Sequence, residues 1–299
     1  MELEQPRFVP LNELSRPQTR AWEALRLDGV WLAGDPHGLA RPTVAVVGCR
    51  AASDAGRRHA RAIARGLAEA GACVLSGLAL GIDASAHEGA LAGGGPTIGV
   101  LGGGHRRFFP RRNRRLAEEM LARGGAVLSP FAPDAVPQPF QFLDRNALVA
   151  GLADAVVVVE AAARSGALNT AGWASKFNID VFAVPGDVDR AKAAGCNALI
   201  RDGAVLVRDA ADVLAGIGLA SAQLALPIET GSACEPGDAA LLAAFEGEAR
   251  SLDELLERTG GETGTTLAAL VRLELAGLIR RGDDLCYAAL KRAGAKDVG

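Results

Sequence analysis

The sequence predicts an α/β protein: a doubly wound, mostly parallel sheet, followed by a small helical domain that ends in a hairpin. Three observations predict it. From about residue 43, short apolar runs alternate with segments of helical spacing. Those runs are apolar throughout, so both faces of each strand must be covered, as in a parallel sheet layered between helices. Near residues 220–237 the composition shifts to Pro, Gly, Ser and Ala, and a different pattern begins beyond it.

Along the chain, residues 1–37 read as a lead-in arm ahead of the sheet, with an amphipathic stretch from Ala21 to Leu27 and then GVWLAGDP. TVAVVG (43–48) opens a domain expected over 38–219. AGRRHARAIARGLAEAG (55–71) follows, with Ala60, Ile63, Ala64 and Leu67 on one helical face. ACVLSG (72–77) is the next strand and IDASAHEGALAGG the next helix. PTIGVLGGG (96–104), AVLSPF (126–131), AVVVVEA (155–161) and DVFAVPG (180–186) continue the series. AVLVRD (204–209) adds a last strand before the helix ADVLAGIGL. This alternation makes the domain Rossmann-like.

Past the 220–237 linker, DAALLAAFEG (238–247), SLDELLERTG (251–260) and GTTLAALVRLELAGLI (264–279) read as three helices. Ser251 and Glu254 form a capping box, and Gly260 stops the second helix. RRGDDLCYAAL (280–290) reads as a hairpin turning at Gly282-Asp283-Asp284. Three helices and a hairpin over 238–291 describe a winged helix, with a tail at 292–299. Its third helix carries few cations beyond Arg272, Arg280 and Arg281, so a protein-contact or dimer role stands beside DNA binding.

Composition narrows the class. Hydrophobic residues make up 49% and charged residues 22%, as in an ordinary globular protein. The apolar runs are strand-sized, so no membrane span is expected. The acidic start MELEQPRFVP has no apolar core of a signal peptide. The five cysteines (49, 73, 196, 234 and 286) form no CxxC pair, which disfavours zinc and disulfides and fits a reducing cytoplasm. The net charge is −3, yet RRFFPRRNRR (106–115) concentrates six arginines around Phe108, Phe109 and Pro110. That patch fits phosphates, and equally a solvated loop in an arginine-preferring chain.

Four turns leave strands and open helices, where ligands bind in open α/β sheets. GCRAASDAG (48–56) offers Gly48 for close approach, the charge of Arg50, and Ser53 as a helix cap. SGLALGID (76–83) offers Ser76, Gly77, Gly81 and Asp83. GGGHRRFFPRRN (102–113) offers Arg106, Arg107, Arg111, Arg112 and Asn113. EAAARSGALNTA (160–171) offers Ser165, Gly166 and Thr170. Amides at such helix starts bind anions without further device.

No turn matches GxGxxG with a downstream acid, or GxxxxGK[ST], so a dinucleotide enzyme and a P-loop ATPase are disfavoured and no cofactor is expected. Asp83 and His87 share a helix face, with Glu88 beside them. They read as an N-capping aspartate and a half-buried histidine that fix the turn, not as a catalytic pair. His37, His59 and His105 are isolated, and no metal set is expected. Glu160 is expected to accept hydrogen bonds from the SGALNT turn.

In order and spacing, VAVVGCR, SGLALGIDASAHEGAL, TIGVLGGG…FPRRN, RNALVAGL, VVVVEAAARSGALNTA, VFAVPG and GCNALIRDGA resemble the DNA-processing protein A (DprA, or Smf) family over about residues 29–215. The winged helix is similar to the one many members carry. The resemblance implies a non-catalytic protein that binds single-stranded DNA, forms a homodimer and loads the RecA recombinase in transformation and recombination. Arg50, the Gly77–Asp83 turn, Arg145, Asn146 and the Ser165–Gly166 turn would then line the DNA path, with Phe108 and Phe109 as stacking candidates, at least one of them buried. The chain departs from the family pattern at Leu80, where an arginine is usual, and at Ser129-Pro130-Phe131, Phe142-Leu143, Gly172 and Ile179. Against the family pattern, the usual N-terminal helical domain is expected to be missing or shortened. Two outcomes stand open for Leu80: compensation by Lys176 and the 106–115 arginines, or a diverged paralogue with weaker DNA affinity. Two other readings remain. One is a nucleotide phosphoribohydrolase resembling the cytokinin-activating LOG proteins, disfavoured because PGDVDRAKAAG (185–195) is not their PGGxGTxxE segment. The other is a nucleotide-sensing winged-helix regulator.

Overall fold

Apolar strands need cover on both faces, and the described chain supplies it. The computed structural model describes residues 3, 5–14, 20–219, 236–245, 249–275, 278–282 and 286–289. These fall into two units, Met1–Leu224 and Ala225–Gly299.

The first unit holds strands β1 (Arg7–Pro10), β2 (Gly29–Gly34), β3 (Thr43–Gly48), β4 (Cys73–Ser76), β5 (Thr97–Val100), β6 (Ala126–Ser129), β7 (Ala155–Glu160), β8 (Asp180–Ala183) and β9 (Val205–Leu206). Its helices are α1 (Arg20–Leu25), α2 (Asp54–Glu69), α3 (Ile82–Ala92), α4 (Arg114–Ala122), α5 (Gln141–Gly151), α6 (Gly166–Lys176), α7 (Ala194–Arg201) and α8 (Ala210–Gly216). One sheet runs β1-β2-β6-β5-β4-β3-β7-β8-β9. From β6 to β9 all pairings are parallel. β2 joins β6 antiparallel and β1 joins β2 antiparallel. The sheet is therefore mostly parallel, and it takes in two strands from the segment read as a lead-in arm.

Strand alternation divides the core. Ala45, Val47, Leu75, Val156 and Val158 point to the face covered by α1, α5 and α6. Val44, Val46, Val74, Val157 and Val159 point to the face covered by α2, α3 and α8. The strand order reverses at the β3–β7 pair, which makes that pair the topological switch point. There the register slips: Val47 faces Val158, whereas Gly48 faces Glu160. Such a bulge re-aims the chain leaving the sheet.

The second unit holds α9 (Pro236–Ala243), α10 (Leu252–Thr259), α11 (Thr263–Leu275) and a hairpin of β10 (Ile279–Arg281) and β11 (Tyr287–Ala289), a winged helix. The Ser251–Glu254 capping box forms, and Gly260 ends α10 in the left-handed conformation at φ 64°. The third helix ends earlier than its apolar spacing suggests, because Ile279 is already paired with Ala289. The exposed face of α11 presents Leu267, Ala268 and Val271, while Arg272 is bound to Asp238 at 2.8 Å. The linker at 220–235, the turn residues Asp283 and Asp284, Cys234 and the 292–299 tail lie outside the described residues.

Candidate nucleic-acid interface

The loops after β3 and β7 diverge at the switch point and leave a cleft of about 280 Å³ between them. One wall is Gly48, Cys49 and Arg50; the other is Ala162, Arg164, Ser165 and Gly166. Ser165 caps α6 by accepting from the Ala167 amide at 3.3 Å, which sets the first turn of that helix at the cleft. A Cβ built on Gly166 would meet nothing within 4 Å, so that turn opens to the cavity. Thr170, one turn on, lines the cleft but is itself buried. Asn146 enters from α5 and donates to Gly166 O and Asn169 Oδ1, both at 3.2 Å, holding the start of α6 in place. A helix N-terminus presented this way attracts anions.

The other predicted anion turns are filled from within. Asp83 does not cap α3, whose N-cap is Gly81. Its carboxylate instead accepts from the amides of Gly77 (3.1 Å) and Ala79 (3.3 Å), so those donors are not offered to a phosphate. Gly81, at φ 83°, is required by close packing: a Cβ there would lie 2.3 Å from Cys49 O. Ser76 is buried and donates to Val46 O at 2.7 Å, locking β4 to β3. Asn113 is buried and clips the same turn by donating to Leu78 O and Ala79 O at 2.8 and 2.9 Å. The SGLALGID segment thus buttresses the Arg50 loop, and Gly77, Ala79 and Asp83 line the cleft with those amide donors already taken.

Ser53 is engaged as well. It caps α2, its amide donates to Glu160 Oε2 at 2.8 Å, and Arg190 donates to its hydroxyl at 3.1 Å. Glu160 therefore sits at the start of α2, not on the SGALNT turn as expected, and fills that helix's anion site. Gly48 admits the side chain of Ile82 and the β7 backbone rather than a ligand.

Arg145 differs from an exposed phosphate clamp. It is 3% exposed, its Nη1 donates to Val100 O at 3.1 Å, and its Nε has no hydrogen-bond partner. It fills the space a Cβ at Gly77 would occupy, with Nη1 only 1.5 Å from that point. Burial lowers its pKa to about 10, against the opposing pull of Asp83, so the guanidinium stays charged at neutral pH. Burial pushes the Asp83 carboxyl up, with Arg145 and the two amides holding it down. His87 is fully buried rather than half-buried. Its Nδ1 lies 2.7 Å from Thr97 Oγ1, whose own proton goes to Val74 O. Nδ1 is therefore the donor, and burial together with Arg145 lowers the imidazole to about 3.

The arginine segment forms a second stretch of the same surface. Arg106, Arg107, Arg111 and Arg114 line a groove of about 680 Å³ with Phe109, Val136, Pro137 and Phe142. Arg112 is exposed but outside that lining. Phe108 is buried, whereas Phe109 is 52% exposed. Arg50 lies over the Phe142 ring at 5.2 Å, which joins the two stretches. Lys176 is not brought to either. It sits in the last turn of α6, at the far end from the cleft, over Trp173 at 4.4 Å. Phe142, the residue that links the grooves, carried no chemistry in the sequence reading; its place before Arg145 on one helical face was the available signal. Among the described residues no group of three or more His, Cys, Asp or Glu side chains could hold a metal, and no helix is long and apolar enough to cross a membrane.

A Rossmann-like sheet with an arginine-lined cleft at its switch point, in one chain with a winged helix, defines an anion-binding α/β protein of the nucleic-acid-handling class. The comparisons narrow it. The family model described as DNA recombination-mediator protein A matches residues 28–218, and that for the DprA winged helix domain matches residues 223–284. The chain belongs to the DNA recombination-mediator protein A family. It is 38% identical to protein Smf of Escherichia coli over 256 residues, covering 84% of this chain and 68% of that protein. It is 44% identical to the DNA processing protein DprA of Streptococcus pneumoniae over 174 residues, 58% of this chain and 61% of that one. The solved structure of the Streptococcus pneumoniae protein matches with a TM-score of 0.64 at 36% identity, over 72% of this chain and 75% of that chain. DNA processing protein A from Helicobacter pylori, whose structure concerns a single-stranded DNA binding mode, matches with a TM-score of 0.62 at 28% identity, over 71% and 95%.

Proposed function

We propose that this protein binds single-stranded DNA along the groove from the 106–114 arginines to the switch-point cleft, as a non-catalytic recombination mediator of the cytoplasm. One observation carries the reading. Arg50, Arg106, Arg107, Arg111, Arg114, Arg145 and Arg164 line this surface; the one carboxylate in the lining, Asp83, is already bonded, and Asp134 and Glu118 beside it pair with Arg106 and Arg114 at 2.7 and 3.1 Å. Unpaired bases need cations for the backbone and apolar surface for the rings, and the arginines are interleaved with Phe109 and Phe142. Among the described lining residues Asp83 is the single carboxylate, already bonded to two amides, rather than one of the paired carboxylates of a hydrolase, which supports a binding role over a phosphoribohydrolase.

The test is binding of labelled oligo-dT and of a duplex of the same length across a salt titration. Single-strand affinity that falls as salt rises supports the proposal; binding that is absent, or indifferent to salt, refutes it.

Two finer roles belong to the same reading. The family description as a recombination mediator supports loading of RecA, tested by RecA filament growth on strand pre-coated with single-strand-binding protein. A homodimer through β9 is supported by the sheet ending there on Val205 and Leu206, 52% and 46% exposed. A bare apolar edge strand is a pairing surface.

A further inference from the structure

The segment PGDVDRAKAAG (185–195) leaves β8 and enters α7, and the strand path described above makes no use of it. β7 lies between β8 and β3, so this segment can reach the loop after β3 only by crossing the carboxyl end of β7. It does reach it. Lys192 Nζ donates to Ala51 O at 2.5 Å, and Arg190 Nη2 donates to Ser53 Oγ at 3.1 Å. Arg57, from the first turn of α2, donates to Ala52 O at 3.4 Å. A cation thus grips each of the three residues that follow Arg50, and all three acceptors are neutral. Glu160, the last residue of β7, takes the Ser53 amide and stands 3.7 Å from Arg190.

The crossing segment is itself tied at both ends. Asn197 clips its start, donating to Gly186 O at 2.9 Å and accepting from the Gly186 amide at 3.1 Å. Asp187 Oδ1 accepts from the Asp189 amide at 3.1 Å and Asp187 O from the Arg190 amide at 3.0 Å, which sets the turn that carries Arg190. The Gly195 amide ties the end to Ala161 O at 2.8 Å, at the root of the loop that forms the other wall of the cleft. Val188, between these ties, is 85% exposed, so bonds rather than packing hold the middle of the segment.

Resting on the single-strand reading above, we propose that Arg190 and Lys192 are positioning residues for DNA binding: they brace Ala51–Ser53 from the β8–α7 segment and so fix the Arg50 wall of the cleft against the α6 wall. A loop ordered before the strand arrives does not have to be ordered by it, and affinity gains what that ordering would cost. Direct phosphate contact suits this pair less well. Their side chains are already engaged on the loop, and the neighbouring carboxylates of Asp187, Asp189 and Glu160 oppose a polyanion.

The test is a mutant cycle in the full chain, read as oligo-dT affinity across a salt titration. Removing the brace, Arg190→Ala with Lys192→Ala, should weaken binding about tenfold and leave the salt slope within about 0.3 of the wild type. In an Arg50→Ala background the same pair should cost less than about twofold, because no Arg50 is left to position. Exchanging the two cations, Arg190→Lys with Lys192→Arg, keeps both donors and should recover all but about threefold of the affinity. A slope that flattens by about 1.4 in the brace variant would make the pair phosphate contacts and overturn the proposal. An unchanged affinity overturns it too, as does a tenfold loss that persists in the Arg50→Ala background, since that damage would be general. If the double variant does not fold, Lys192→Ala alone removes one surface bond and is judged by the same cycle. Wild-type protein that fails to bind oligo-dT at low salt overturns the single-strand reading as well; salt-dependent wild-type binding with an indifferent brace variant overturns only the brace.

Discussion

Arg50 stands at the lip of the cleft, exposed and held over Phe142, where it can meet a passing phosphate without giving up a buried partner. Arg50→Ala should weaken oligonucleotide binding by a similar factor for every sequence and flatten the salt slope by about 0.7, read from anisotropy at several salt concentrations. Arg145 has the same charge and the opposite situation: buried, bonded to Val100 O and wedged against Gly77, it shapes the site from below. The family resemblance implied the same role for both residues and could not separate them, because burial of a long side chain depends on which helix face meets the sheet. His87 makes a prediction of its own. Its folded pKa of about 3 lies below the usual 6.5, so the unfolded chain takes up the proton first as pH falls. Stability is full above about pH 6.5 and is lost as pH drops from there toward 3. Between pH 7 and 5 His87 accounts for about 2 kcal/mol, and His105, lowered by the same burial, adds in the same direction. The urea midpoint should therefore fall more over that interval in the wild type than in His87→Gln.

At the level of elements, the parallel strands were legible because each is apolar on both faces, a pattern that water-facing strands do not show. The Ser53 and Ser251 caps were legible for a similar reason: short polar side chains precede helical runs, and both accept from amides of their own helices, as does Ser165, which the sequence had offered only as a ligand hydroxyl. β1 and β2 were not legible. RFVP exposes Arg7 and Phe8 and ends in a proline, and GVWLAG lies beyond any crossover helix, so neither resembles an inner strand. The anion turns failed differently. Motif spacing shows that SGLALGID frees its backbone, but not that Asp83 folds back onto the Gly77 and Ala79 amides. β9, at the opposite edge from β1, is short and apolar. If two copies pair there, Leu206→Lys should yield monomers in sedimentation at concentrations where the wild type is dimeric.

For the whole molecule, charge placement outweighs net charge. The chain is acidic overall at −3, yet its groove gathers arginines from the loops after β3, β5 and β7 and from α4 and α5. If about four of them neutralise phosphates at once, log affinity for single strands should fall with log salt at a slope near −3. A slope near zero would mean that the groove does not carry the strand. Glu160 at the start of α2 and Asp83 across the β4–α3 turn have a further consequence. Each is a resident anion already docked where a phosphate would otherwise settle. The start of α6 has no such tenant among its described contacts, and Gly166 faces open space. Of these three helix starts, α6 is thus the one that a polymer with identical repeating charges would use, on the proposed path, to fix which of its links is the anchor.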